Sequence, residues 1–117
     1  MSVHRFYGYG PCGTCRKALA WLSERSIAVE IVDITTTPPG PDELRQALSQ
    51  LGRGRLFNTS GQSYRALGAE RVKAMNDDQA LAALSGDGRL IKRPFLVTSG
   101  GSILTGFKHP EWSKILA

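Results

Sequence analysis

The sequence predicts an α/β fold: a mixed four-stranded sheet with helices on its faces and a helical subdomain inserted within the chain. Three observations carry this. Strand-like and helix-like segments run β-α-β-α, then an irregular helical stretch, then β-β-α. The first β-α-β unit implies parallel pairing through a crossover. The last two strands are joined by Ser99-Gly100-Gly101-Ser102, a tight turn with Gly-Gly at its centre, which implies antiparallel pairing. The 117 residues form a single domain, with the helical insert at about residues 36–88, and suffice to bury a core without staples.

Residues 3–7 alternate, Val3, Arg5 and Tyr7 against His4 and Phe6, as in a short strand. Gly8-Tyr9-Gly10-Pro11 is a turn. A helix follows, with Cys15, Ala18, Leu19 and Leu22 at i, i+3, i+4 and i+7 on one apolar stripe, and it ends near Ser26. VEIVDI (residues 29–34) is the second strand and TTTPPGP (residues 35–41) a rigid loop. Pro41 opens the second helix at its first position. Asp42 and Glu43 favour the positive end of its dipole, and Gly52 stops it. Leu44, Ala47, Leu48 and Leu51 are its apolar face.

Residues 52–68 are irregular, with a helical turn at 64–67. Residues 70–75 and 77–84 read as short helices. LIKRPFLVT (residues 90–98) is a strand broken by Pro94, and residues 102–106 return as its partner. Pro110 starts a last helix that buries Trp112, Ile115 and Leu116.

Chemistry concentrates in PCGTC, residues 11–15, which holds the two cysteines. Cys12 falls at the N-terminus of the first helix, where unpaired N–H groups stabilise a thiolate. Arg16 and Lys17 add positive charge. Cys15, one turn on, heads the apolar stripe and is recessed. An exposed nucleophile and a buried resolving thiol is the division of labour this asymmetry suits. A zinc site normally needs four ligands, and the two histidines, His4 and His109, lack ligand spacing, so no metal is expected. A structural disulfide here would close a tiny loop and constrain little. Those two alternatives remain weaker than redox or nucleophilic use of a C-x-x-C at a strand-to-helix junction.

The net charge is +5, with fifteen scattered Lys and Arg. This is a solvated basic surface, suited also to anionic small molecules such as glutathione or to an acidic partner. Aromatics interleaved for stacking on nucleic acid are absent, which argues against direct nucleic-acid binding. No apolar run approaches the roughly 18 residues of a membrane span, and the N-terminus lacks a signal-peptide apolar core. A cytoplasmic monomer with no bound cofactor is expected.

These motifs together resemble the arsenate reductase/Spx/YffB family. CGTCRKALAWL (residues 12–22) is similar to the start of Spx- and MgsR-type regulators, and to the C-G-T-S-R segment of glutaredoxin-linked arsenate reductases. LFNTSGQSYRALG (residues 56–68) and IKRPFLV with GGSILTGF (residues 91–97 and 100–107) resemble the YffB branch. The resemblance implies a thioredoxin-like fold, Cys12 as nucleophile and glutathione or a glutaredoxin-type thiol as electron donor. It implies a cis Arg93–Pro94 bond beside the cysteines, with Arg93 near Cys12. Backbone N–H groups of Gly13 and Thr14 would steady the anion, and Thr14 also reads as a plain helix-opening residue. The backbone ahead of Pro94 would pair with an extended thiol peptide.

The family's three oxyanion-binding arginines would fall on Asn58, Arg93 and Gly106, and a histidine on Gly8. Only Arg93 keeps its type, which predicts weak arsenate reduction, with Arg65 a substitute if its loop turns inward. The resemblance thus implies a glutathione- or glutaredoxin-linked thiol–disulfide oxidoreductase, using Cys12, Cys15 and Arg93 with Gly13, Thr14, Arg16, Asn58, Arg65 and Pro94 around them. Its alternatives are a redox-sensing regulator binding the RNA polymerase α subunit and a true arsenate reductase. The chain ends directly after its last helix, without the extension of well-known Spx regulators, which weighs toward the catalyst.

Overall fold

The structure, a computed structural model, describes residues 3–116. Strand β1 (His4–Gly8) runs parallel to β2 (Val29–Asp33), with Phe6 opposite Ile31. On its other side β1 pairs antiparallel with β3 (Phe95–Val97), and β3 with β4 (Ile103–Thr105). The sheet order is β2-β1-β3-β4. Helix α1 (Gly13–Glu24) makes the crossover from β1 to β2. Between β2 and β3 lie α2 (Pro41–Leu51), α3 (Gln62–Leu67), α4 (Ala69–Ala74) and α5 (Asp77–Gly86), with short 3-10 turns at Arg53–Arg55 and Gly88–Leu90. Helix α6 (His109–Leu116) closes the chain. This is the thioredoxin-like α/β arrangement with helical insertions.

Two apolar clusters cover the two faces of the sheet, as the alternation of side chains along a strand requires. On one face Tyr7 and Phe95 meet Ile34, Leu44, Leu56, Phe57, Leu84 and Ile91, so the inserted helices pack here. On the other, Phe6, Leu96 and Leu104 meet Cys15, Ala18, Trp21, Leu22 and Trp112. Trp112 is the hub of the second cluster. Its ring stands edge-on to Phe6, Trp21 and Phe107, and its Nε1–H donates to the Gly106 carbonyl at 3.0 Å.

The inserted helices are tied to the sheet by polar contacts. Arg5 and the Tyr7 hydroxyl both donate to Glu43 of α2, at 2.6 and 2.9 Å. Gln50 caps the free edge of β4 by accepting from Ile103 N–H and donating to the Gly101 carbonyl. Gly88 passes so close to the chain just after β2 that a Cβ there would lie 1.7 Å from the Ile34 carbonyl oxygen. Asn76 and Gln79 form a reciprocal capping box at the start of α5.

Some expectations need correction. Ile115 does not pack inward: it is 45% exposed, while Trp112 is buried and Leu116 partly so. An eight-residue helix presents one narrow stripe, and Trp112 fills it. Trp21 joins the α1 stripe, and Leu19 is only half-buried, because the sheet meets the helix on the Ala18–Trp21–Leu22 side. The strand expected over residues 90–98 is shorter. Leu90 closes a 3-10 turn, Ile91 makes only an isolated bridge to Phe57, and regular pairing begins after Pro94.

Candidate functional site

The N-terminus of α1 is capped by a sulfur. Cys12 has extended backbone angles, and its Sγ accepts the Cys15 N–H at 3.4 Å. The loop before it is closed by Cys12 N–H donating to the Tyr9 carbonyl at 3.0 Å. Cys12 is half-buried and Cys15 buried, both as free thiols. Burial works against ionising Cys12. The Cys15 thiol, the Cys15 N–H, the Arg93 charge and the Thr14 N–H together outweigh it and hold the Cys12 pKa below the ordinary thiol range. Cys15 behaves in the opposite sense. Burial, then its hydrogen bond to Cys12 and the charge there, push its thiol up to about 12. One thiol is therefore activated and its neighbour held protonated.

Cys12 opens into a cavity of about 410 Å3, shared with Thr14, Arg55, Asn58, Lys92, Arg93 and Gly106 among others. The Arg93–Pro94 peptide bond is cis. The Arg93 guanidinium lies over the Tyr9 ring, 5.2 Å from its centroid, a cation–π contact that seats it beside the cysteine loop. Pro94 is buried, with its carbonyl accepting Gly106 N–H at 2.9 Å. Ahead of it, Lys92 N–H is committed to the Leu56 carbonyl at 2.8 Å. Cys15 lines a separate, smaller slot of about 140 Å3 with Gly8, Leu19 and Ile31.

Of the residues singled out from the sequence, Cys12, Thr14, Asn58 and Arg93 come together around the larger cavity. Gly13 opens α1 next to Cys12, and Thr14 is exposed in its first turn. Arg16 turns back to donate to the Gly10 and Pro11 carbonyls, at 3.2 and 3.4 Å, and so braces the loop. Arg65 is exposed in the last turn of α3 and lines neither this cavity nor the one beyond Arg93.

The positions without their expected side chains have local reasons. A Cβ at Gly8 would lie 2.6 Å from the Phe6 ring. Gly106 has φ +67°, a conformation suited to glycine, and the Lys92 stem lies 3.1 Å from where its Cβ would be.

Three basic cavity residues escaped the sequence reading. Arg55 is one of fifteen scattered basic residues in the sequence and carries no motif of its own. Its Nη2 donates to the Thr105 carbonyl at 3.3 Å and to Glu111 at 2.8 Å, so it is largely neutralised. Lys92 would point away from Arg93 in a regular strand, but residues 91–94 are not regular, and both reach the same cavity. Lys108 follows β4 at the rim. A Lys-Arg-Pro run was the available signal for Lys92. Among the described residues, no three His, Cys, Asp or Glu side chains gather as a metal site, and no helix is long and apolar enough to cross a membrane.

Known proteins share this sequence pattern and fold. Residues 7–115 match the ArsC family. The chain is 40% identical over 112 residues to YusI of Bacillus subtilis, covering 93% of this chain and 94% of that one. It superposes with a TM-score of 0.86 on a possible arsenate reductase from Streptococcus mutans UA159, 36% identical over 97% of this chain and 99% of the other. SACOL0876 from Staphylococcus aureus COL gives a TM-score of 0.81 at 35% identity, over 96% and 97% of the two chains. These similarities and the Cys12–Cys15 pair support a role in thiol redox chemistry.

Proposed function

The chain belongs to the ArsC family, and on that premise we propose that it is a thiol–disulfide oxidoreductase with Cys12 as nucleophile and Cys15 as resolving thiol. The observation that carries this is the opposed tuning of the two thiols, with the activated one opening into a cation-lined cavity. The Cys12 thiolate attacks one sulfur of a disulfide. A bond forms to that sulfur, and the other sulfur leaves as a thiolate. Consuming the charge on Cys12 removes two of the causes that hold Cys15 protonated. Cys15 then gives its proton to water or the departing thiolate and attacks the Cys12 sulfur. The bound group leaves as a thiolate that takes a proton from water, and a Cys12–Cys15 disulfide remains. Two glutathione thiols, or one glutaredoxin-type dithiol, return the two electrons. Arg93 stabilises the thiolate at each stage, with the Cys15 and Thr14 N–H groups of the helix end beside it.

The test is NADPH consumption in a mixture of glutathione, glutathione reductase and glutaredoxin. Arsenate and a glutathione mixed disulfide are offered separately, to wild type and to Cys12→Ser. Cys12-dependent turnover of the disulfide with little from arsenate is expected. Comparable turnover of arsenate would restore the arsenate reductase reading. Exchange that survives Cys12→Ser would remove the proposed nucleophile.

A second reading is a redox-sensing regulator that binds the RNA polymerase α subunit. It is favoured by the CGTCRKALAWL block and by apolar surface on that same helix side. Leu19, Leu22, Ile27, Val29 and Ile31 line a shallow depression there, and Ile31 is 63% exposed. Pull-down of the polymerase α C-terminal domain, in an amount that changes with Cys12–Cys15 oxidation, would support it. Absence of any retention would end it.

A further inference from the structure

Gly106 and Lys92 face each other across the wall of the Cys12 cavity. A Cβ at Gly106 would meet Lys92 Cε at 3.1 Å and Nζ at 3.9 Å, so the lysine stem occupies the space a side chain there would take. Both residues line the cavity with Cys12. Among the described residues, Lys92 has no ion-pair partner, whereas Arg55 on the same wall is paired with Glu111 at 2.8 Å. Arg93 is stacked on Tyr9, and its charge acts on both sulfurs. Lys108 is exposed at the rim and more fully hydrated. Lys92 is half-buried, and its ammonium is left for whatever enters.

We propose that Lys92 is a specificity-determining residue. Its ammonium holds a carboxylate of the incoming disulfide or thiol while that molecule's sulfur meets Cys12, so the site selects anionic thiol compounds over neutral ones. An ammonium on a flexible stem suits this task, because it takes a carboxylate as a point charge from several directions. No Asp or Glu lines the cavity among the described residues, so the wall offers the ligand little competing negative charge. The inference rests on the reading of Cys12 as the nucleophile.

The test is single-turnover reaction of the reduced protein with two disulfides, followed by release of the leaving thiol. In each, the Cys12 thiolate bonds to one sulfur and expels the other. One probe is the dianionic 5,5′-dithiobis(2-nitrobenzoate), the other the neutral 2,2′-dithiodipyridine. The quantity compared is the ratio of the two rates, which cancels any change in Cys12 ionisation or folding. Lys92→Met, which keeps the stem over Gly106, should lower the anionic-to-neutral ratio about fivefold to tenfold, the size of one partly screened charged contact. Lys92→Arg should keep most of the ratio. Lys73→Met, which removes the same charge from exposed surface on α4 outside the cavity lining, should change it less than about twofold, as expected of a screened charge. Raising the salt concentration should lower the wild-type ratio toward that of Lys92→Met.

An unchanged ratio in Lys92→Met, or equal loss with both probes, would overturn the proposal while leaving Cys12 as nucleophile. Equal effects of Lys73→Met and Lys92→Met would reduce it to net charge. Failure of wild-type Cys12 to react with either probe would instead remove the reading beneath it.

Discussion

The backbone N–H of Cys15 points at the sulfur of Cys12, 3.4 Å away. The residue that supplies this donor also carries the buried thiol, so one helical turn lowers the first pKa and raises the second.

Alkylation by iodoacetamide tests the first half. The rate at Cys12 should rise through a midpoint below the ordinary thiol value of about 8.5, and Cys15 should stay unreactive in the folded protein. A Cys12 midpoint at or above the ordinary value would contradict the capping geometry.

Stability should follow the two thiols in opposite directions. Cys12, with its pKa lowered on folding, stabilises above its unfolded pKa, and that contribution is lost as pH falls through the lowered folded value. Cys15 is raised to about 12, so the native state keeps a proton that the unfolded chain has released. Its contribution is therefore present below the unfolded thiol pKa and is lost as pH rises from there toward the folded value. Denaturant unfolding of Cys15→Ala should show a flatter alkaline decline than wild type. Parallel declines would assign the loss to other groups.

Arg93 acts on Cys12 by charge and on Tyr9 by stacking. Arg93→Met should move the Cys12 alkylation midpoint upward. Arg93→Lys should move it less, since the charge remains although the planar stack is weakened. An unmoved midpoint in Arg93→Met would separate this arginine from the sulfur.

Trp112 joins the second core cluster to the cavity wall through the Gly106 carbonyl. Trp112→Phe removes ring volume from a fully buried site and leaves that carbonyl unpaired. Together these should cost about 2–4 kcal/mol in denaturant unfolding. A cost below about 1 kcal/mol would mean the wall repacks readily.

Gly88→Ala should be among the most damaging small substitutions. Its Cβ would fall 1.7 Å from a backbone oxygen of Ile34, and backbone yields less easily than a side-chain end. A loss of about 3 kcal/mol or more is expected from thermal unfolding, because the inserted helices must lift from β2.

The local part of this architecture was written in the chain. Pro41 and Gly52 bound α2 as expected, because a missing donor and a left-handed φ act within one turn. The PCGTC segment announced its own chemistry for the same reason: the cap, the helix end and the recessed Cys15 lie within four residues. The crossover helix implied the parallel β1–β2 pairing and the Gly-Gly turn the antiparallel β3–β4 pairing, while the antiparallel contact of β1 with β3 came only with the tertiary structure.

Tertiary structure alone decided that Arg55 and Lys92 join the cavity around Cys12. They are distant or misdirected in sequence, and they converge because the chain bends at Ile91–Pro94 and β4 returns beside it. It also decided that Ile115 faces outward while Trp112 does not, since one narrow helix face met one deep pocket. Short-range rules determine caps, turns and periodicity because their energies depend on neighbours in the chain. Which charges share a cavity depends on contacts between remote segments, and those exist only once the core has closed.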